Sequence, residues 1–246
     1  MWPIRATARR SVLPEAGAWP PSMPSVSWEA SRRRWIASGG NHGREPGCLR
    51  LQGAGAPGQA RFVGSHRRCA MSLRTIILYG HPTLRQRAAE VTEFGEGLRT
   101  LVEDLFETMG TERGIGLAAP QINVAERVIV VDPTPVTEEE SRPLALINPE
   151  IADYEGQSTL EEGCLSIPGV YAEVQRPARI RVRYRDVDGG AQEETFADLM
   201  ARVILHETDH LDGKLFVDHL SAMRRSLLTR KLRAIDADRR RQAMRL

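Results

Sequence analysis

Asp198-Leu199-Met200-Ala201-Arg202-Val203-Ile204-Leu205-His206-Glu207-Thr208-Asp209-His210-Leu211 is the stretch that organises the reading of this chain. Asp198 suits the N-cap of a helix, and Asp212-Gly213 suits its end. Within that helix Leu199, Val203, His206 and His210 fall at i, i+4, i+7 and i+11, so the two histidines extend an apolar, core-facing stripe. Imidazoles four residues apart on one helix face can meet a single cation, with Glu207 beside it. A solvent-facing pair would be a weaker sign. The stretch predicts a metal-binding helix whose ligands point into the protein.

Working outward, Leu98, Leu101, Val102, Leu105, Phe106 and Met109 form the stripe of an amphipathic helix. Arg127–Val131, Leu144–Ile147 and Ile180–Tyr184 read as strands, the last alternating apolar residues with Arg as one wet sheet face requires. Asp188-Gly189-Gly190 turns the chain into a further strand near Glu193–Phe196. Strands and helices without βαβ alternation predict an α+β fold, with mixed or antiparallel sheets packed around the central HExxH helix.

The chain has 246 residues and a net charge of +2, which conceals three unlike parts. Residues 1–70 carry 11 Arg, no Lys and three acids; residues 71–220 carry 14 basic and 27 acidic groups; residues 221–246 carry nine basic groups against Asp236 and Asp238. The first part holds seven Pro, nine Gly and all four Trp without a helical or strand period, so it reads as a disordered extension. Three interpretations compete for it: an organelle transit peptide, a basic arm for nucleic acid, or a leader upstream of a start at Met71. The domain plan is therefore 1–70 extension, 71–220 folded domain and 221–246 basic C-terminal helix, in which Leu228, Leu232 and Ile235 keep helical spacing. No run of about 18 apolar residues is present, which excludes a membrane helix. Cys48, Cys69 and Cys164 are too few and odd in number for a disulfide framework.

Two histidines need a third ligand. His219 and Asp218 lie beyond the Gly213 break, and His219 misses the extended HExxHxxGxxH spacing. Cys164, in Glu161-Glu162-Gly163-Cys164-Leu165-Ser166, is the alternative, although a single Cys is more often a small core residue. A third segment, Gly114-Ile115-Gly116-Leu117-Ala118-Ala119-Pro120-Gln121, is Gly-rich but lacks the Lys-Ser/Thr ending of a phosphate loop. Alone, it reads as a connector between the 98–109 helix and the 127–131 strand.

Together, GIGLAAPQ at 114–121, EGCLS at 162–166 and HETDH at 206–210 resemble the three signature motifs of the peptide deformylase family, in that family's order. The resemblance spans about residues 72–220. Leu205 departs from it, standing where the family usually has Gln. The resemblance implies Cys164, His206 and His210 as ligands of one divalent ion, Fe(2+) first, with Zn(2+) or Ni(2+) as alternatives. It implies a metal-bound water as nucleophile, Glu207 as general base, and the Gln121 amide with the Leu165 N–H as oxyanion donors. It further places Ile115 and Gly116 along the substrate, Gly116 letting peptide backbone lie close. Leu199, Val203 and Ile115 are candidates for a methionine pocket, and Arg176 matches an Arg near the substrate entrance; by residue type alone Arg176 is an edge-strand charge in solvent. The implied substrate is a nascent N-formyl-methionyl polypeptide, the implied place the bacterial cytoplasm, or a mitochondrion or plastid if residues 1–70 are a transit peptide. Ribosome contact through the basic C-terminal helix is the remaining partner expectation.

Overall fold

The computed structural model describes residues 73–136 and 142–244. The readings of residues 1–70, Cys48 and Cys69 included, lie outside the described residues. The described residues form seven strands: β1 (Gly116–Ala118), β2 (Val128–Val131), β3 (Leu144–Glu155), β4 (Ser158–Cys164), β5 (Ile167–Arg176), β6 (Arg179–Arg185) and β7 (Ala191–Ala197). Three α-helices accompany them: α1 (Glu96–Thr111), α2 (Asp198–Leu211) and α3 (Ala222–Ala243). The strands form a five-stranded sheet in the order β1-β2-β3-β6-β7 and a separate β4-β5 hairpin, with every named pairing antiparallel. The expected α+β class is what the chain adopts.

The short strand β2 shows how the layers are built. Val128 and Val130 face the cluster that includes Leu98, Val102, Leu105, Phe106 and Met109 of α1, while Ile129 and Val131 face Ala201, Val203, Ile204 and Leu205 of α2. All four strand residues are buried, because the sheet here has a helix on each face. Strand β6 lies beyond the cover of α1. It keeps Ile180, Val182 and Tyr184 on the α2 side and turns Arg179, Arg181, Arg183 and Arg185 to solvent, the alternation its sequence predicts. A third apolar cluster joins the hairpin, through Ile167, Val170 and Val174, to Leu215–Leu220 and to Leu228, Leu232 and Ile235 of α3.

Three local expectations change. Asp198 is the first helical residue of α2 rather than its cap; Ala197 takes the cap position with no side-chain hydrogen bond, and Asp198 holds a positive φ of 49° as β7 bends into the helix. The Gly-rich 114–121 segment is not a loop: Gly116–Ala118 pairs with β2, and Ala119–Ile122 forms a 3-10 turn. The β4-β5 hairpin, which the sequence reading did not assign as strands, carries one third of the site.

Candidate metal centre

The two histidines come from α2, where His206 and His210 are both buried with ring centroids 5.2 Å apart. Cys164 comes from the end of β4. Between Gly163 and Cys164 the hairpin register slips, so that Gly163 opposes Tyr171 whereas Cys164 opposes Ile167. Such an irregularity re-aims a side chain, and here the thiol lies 3.3 Å from His210 Nε2. One donor atom each from Cys164, His206 and His210 falls within 4.8 Å of the other two. Among the described residues this is the only such group of His, Cys, Asp or Glu.

The donor set fits a transition-metal ion. Thiolate plus two imidazoles is a borderline-soft, three-ligand arrangement of the kind that leaves a fourth position for chemistry. Glu162 Oε2 lies 2.9 Å from His206 Nδ1, which fixes the tautomer and turns the ring's Nε2 inward. Burial pushes the His206 imidazole down, but hydrogen bonds to Cys164 and Glu162 outweigh that and raise it to about 10. His210 goes the other way: burial, then the positive His206, hold it well below its ordinary value, so it is a neutral donor. The His206 ring is also stacked against Phe216, with centroids 6.1 Å apart.

Glu162 is fully buried and accepts from Arg176 Nε and Nη2, Arg202 Nη1 and His206. Its hydrogen bond to His206 and the guanidinium of Arg176 overcome burial and hold its carboxyl well below the usual carboxylate range. Arg176 Nη1 also donates to Asp209 at 2.8 Å, and Asp209 lies 2.7 Å from His219 Nε2. Burial works against Asp209, but His219 and Arg176 bring its carboxyl to about 2. Arg176 is only 4% exposed, so it is not a solvated edge charge: its guanidinium is committed to two buried carboxylates. Sequence reasoning missed Glu162, Arg202 and Asp209. The available signal was Arg202, a charge inside the apolar run Ala201–Leu205 on a helix face that must be covered.

Glu207 is buried, and its Oε2 has no hydrogen-bond partner among the described residues. Burial pushes its carboxyl up to about 7, against the pull of His206. Gly116 lies against it. A Cβ at Gly116 would stand 2.5 Å from Glu207 Oε1 and 2.6 Å from Val203 Cγ1. The glycine therefore admits α2 and its carboxylate; the resemblance had it admit substrate backbone. Gly116→Ala should lower kcat by about 10²-fold, the cost of a displacement near 1 Å at a reacting group, with the metal content per chain unchanged. A steady-state assay paired with metal analysis checks it.

Gln121 sits on the 3-10 turn after β1. Its Oε1 accepts from Ala118 N–H at 2.8 Å, which leaves Nε2 aimed at Cys164 Sγ (3.5 Å) and Ser166 Oγ (3.4 Å). Leu165, half-buried, is one peptide beyond the thiol. The extended segment before Pro82 ties these two pieces together, Ile77 N–H donating to Gln121 C=O and Tyr79 N–H to Ser166 C=O, each at 2.8 Å. Of the pocket candidates, Ile115 and Val203 are sealed in the core at 1% and 0% exposure, and Leu199 is half-buried at its edge. Leu205, the departure from the expected Gln, is an apolar core residue.

Comparison with known proteins meets this geometry. The family model described as polypeptide deformylase matches residues 73–226. The chain is similar to the peptide deformylase of Alkalilimnicola ehrlichii, 50% identical over 163 residues that cover 66% of this chain and 90% of the relative. It is similar to that of Cellvibrio japonicus at 48%, covering 66% and 95%. Among solved structures, the peptide deformylase of Legionella pneumophila superposes with a TM-score of 0.62 at 42% identity, covering 70% of this chain and 98% of that one. A Plasmodium falciparum peptide deformylase gives 0.63 at 34%, covering 67% and 96%. A match that takes in α2, the hairpin and the Gly-rich strand alike places this chain in the polypeptide deformylase family.

Proposed function

We propose that this protein hydrolyses the formyl group from the N-terminal formyl-methionine of newly synthesised polypeptides, releasing formate and a free α-amine. The observation that carries the reading is the meeting of Cys164, His206 and His210 beside a buried, non-ligating Glu207 and a Gln121 amide aimed at the thiol. The three ligand residues would hold one divalent ion, with Fe(2+) favoured by family resemblance and Zn(2+) or Ni(2+) compatible with the same donors. When bound, such an ion would supply Lewis acidity at this site.

The chain's own groups complete the reaction. Glu207 takes a proton from the attacking water as its oxygen bonds to the formyl carbon. It returns that proton to the amine nitrogen as the carbon–nitrogen bond breaks. The Gln121 Nε2–H and the Leu165 N–H donate to the oxygen on which negative charge gathers. Leu199, at the edge of the core, is the pocket candidate that keeps an exposed face for a methionine side chain. Gln121→Ala should cost about 10²–10³ in kcat, the usual effect of deleting one oxyanion donor, with KM moving far less; steady-state formate release at fixed metal content checks it.

The reading is tested by formate release from formyl-Met-Ala set against acetyl-Met-Ala and unblocked Met-Ala. Turnover of the formyl peptide alone supports it; cleavage of internal peptide bonds instead would reassign the site to a peptidase. The family match beginning at residue 73 supports 71–220 as the catalytic unit. The bacterial relatives support a cytoplasmic place. No helix among the described residues is long and apolar enough to cross a membrane. Helix α3 keeps Arg230, Lys231 and Arg233 exposed around its docked Leu232, a face suited to phosphates of the ribosome from which the substrate emerges.

A further inference from the structure

Arg202 is the largest fully buried side chain in the protein's described part, with no exposed surface, one helical turn before His206. Its Nη1 donates to Glu162 Oε1 at 2.6 Å and to Val174 C=O at 3.0 Å; its Nη2 donates to Ser158 C=O at 2.7 Å and Ser158 Oγ at 2.8 Å. Ser158 and Glu162 belong to β4 and Val174 to β5. One guanidinium from the histidine-bearing helix therefore grips both strands of the cysteine-bearing hairpin. Helix α2 packs chiefly on β1, β2 and β7 of the large sheet rather than on that hairpin. What joins helix to hairpin near the site is polar: Arg202, the Arg176–Asp209 pair and the Glu162–His206 bond.

We propose that Arg202 is a positioning residue of the metal centre, setting the distance and angle between the Cys164 thiol on the hairpin and the two imidazoles on α2. A planar fork with several fixed donors can hold two strands in register, which a single ammonium cannot. Stability alone is a poor reason for the arrangement, since a buried charge network is commonly matched or exceeded by apolar side chains of similar volume. The inference rests on the metal-site reading of Cys164, His206 and His210, and only its activity arm needs the deformylase reading.

The test uses the full chain with Arg202→Met, which keeps length and apolar bulk, and Arg202→Lys, which keeps the charge. Each is loaded with Co(2+), and three quantities are read: affinity by chelator competition, the thiolate-to-cobalt absorption band, and Tm. For Arg202→Met the expected result is Co(2+) affinity about 10–100-fold weaker with a shifted or weakened thiolate band. Arg202→Lys should bind between Met and wild type, because Lys reaches Glu162 without spanning both strands. A fall in Tm with wild-type affinity and spectrum would assign Arg202 a merely structural role and overturn the proposal. Should Arg202→Met not fold, Arg202→Lys decides alone, and a wild-type affinity and band from it overturns the proposal. Wild-type protein that binds Co(2+) through the thiolate yet releases no formate would count against the deformylase reading and leave this inference standing.

Discussion

Glu207→Gln lowers kcat by about 10²–10⁴-fold, the range expected for loss of a general base, while metal content per chain stays at the wild-type level. The geometry separates the two readouts. Glu207 is not among the three converging donors, so removing its charge leaves Cys164, His206 and His210 in place. Its Oε2 is buried without a hydrogen-bond partner among the described residues, so replacing that oxygen breaks no hydrogen bond seen there. Gln occupies nearly the same volume, which matters because Gly116 and Val203 leave no slack around this side chain. Burial raises the carboxyl to about 7, which suits a group that must accept a proton and hand it back near neutral pH. Formate release and metal analysis on one preparation measure both arms. Near wild-type turnover would remove Glu207 from the mechanism; loss of metal would make it a ligand.

How far the sequence announces this site depends on the kind of residue. Helix α2 was legible to within a residue at either end, because its apolar stripe and the Asp212-Gly213 stop are local signals. The histidine pair was legible for the same reason. Cys164 was not legible alone: its aim depends on a register slip at the end of β4, a strand whose burial pattern does not alternate. Strand β4 hides the buried acid Glu162 beside the half-exposed Glu161, and nothing local distinguishes them. Arg176 misled for a related reason. Arg and Glu are mostly exposed, so residue type places them in solvent unless their partners are known, and those partners lie 14 to 40 residues away. Gly116 shows a further limit. The family resemblance marked a close approach there, but only the packing of β1 on α2 shows that the approaching group is Glu207.

Glu162→Ala is expected to be the most damaging substitution outside the reacting groups, and its two effects can be separated. The carboxylate balances Arg176 and Arg202, which are 4% and 0% exposed, and removing it strands buried positive charge. Breaking a buried pair in this way costs about 3–5 kcal/mol, which for a chain of this size lowers Tm by roughly 6–20 °C. The same deletion removes the Glu162 carboxylate that orients His206 Nδ1, and loss of such a partner weakens metal binding about 10–100-fold. A triple variant, Glu162→Leu with Arg176→Met and Arg202→Met, distinguishes these effects. It removes the acid and both of its counter-charges together, and Asp209 keeps His219 as a partner. With no charge left stranded, its Tm should recover to near wild type, yet the Glu162 acceptor of His206 is still missing and the metal affinity should stay low. Thermal melts and chelator competition on the two variants decide the matter. Wild-type metal affinity in the triple variant would mean that the charged cluster serves only the fold, and an unchanged Tm for Glu162→Ala would mean that the two arginines find other partners.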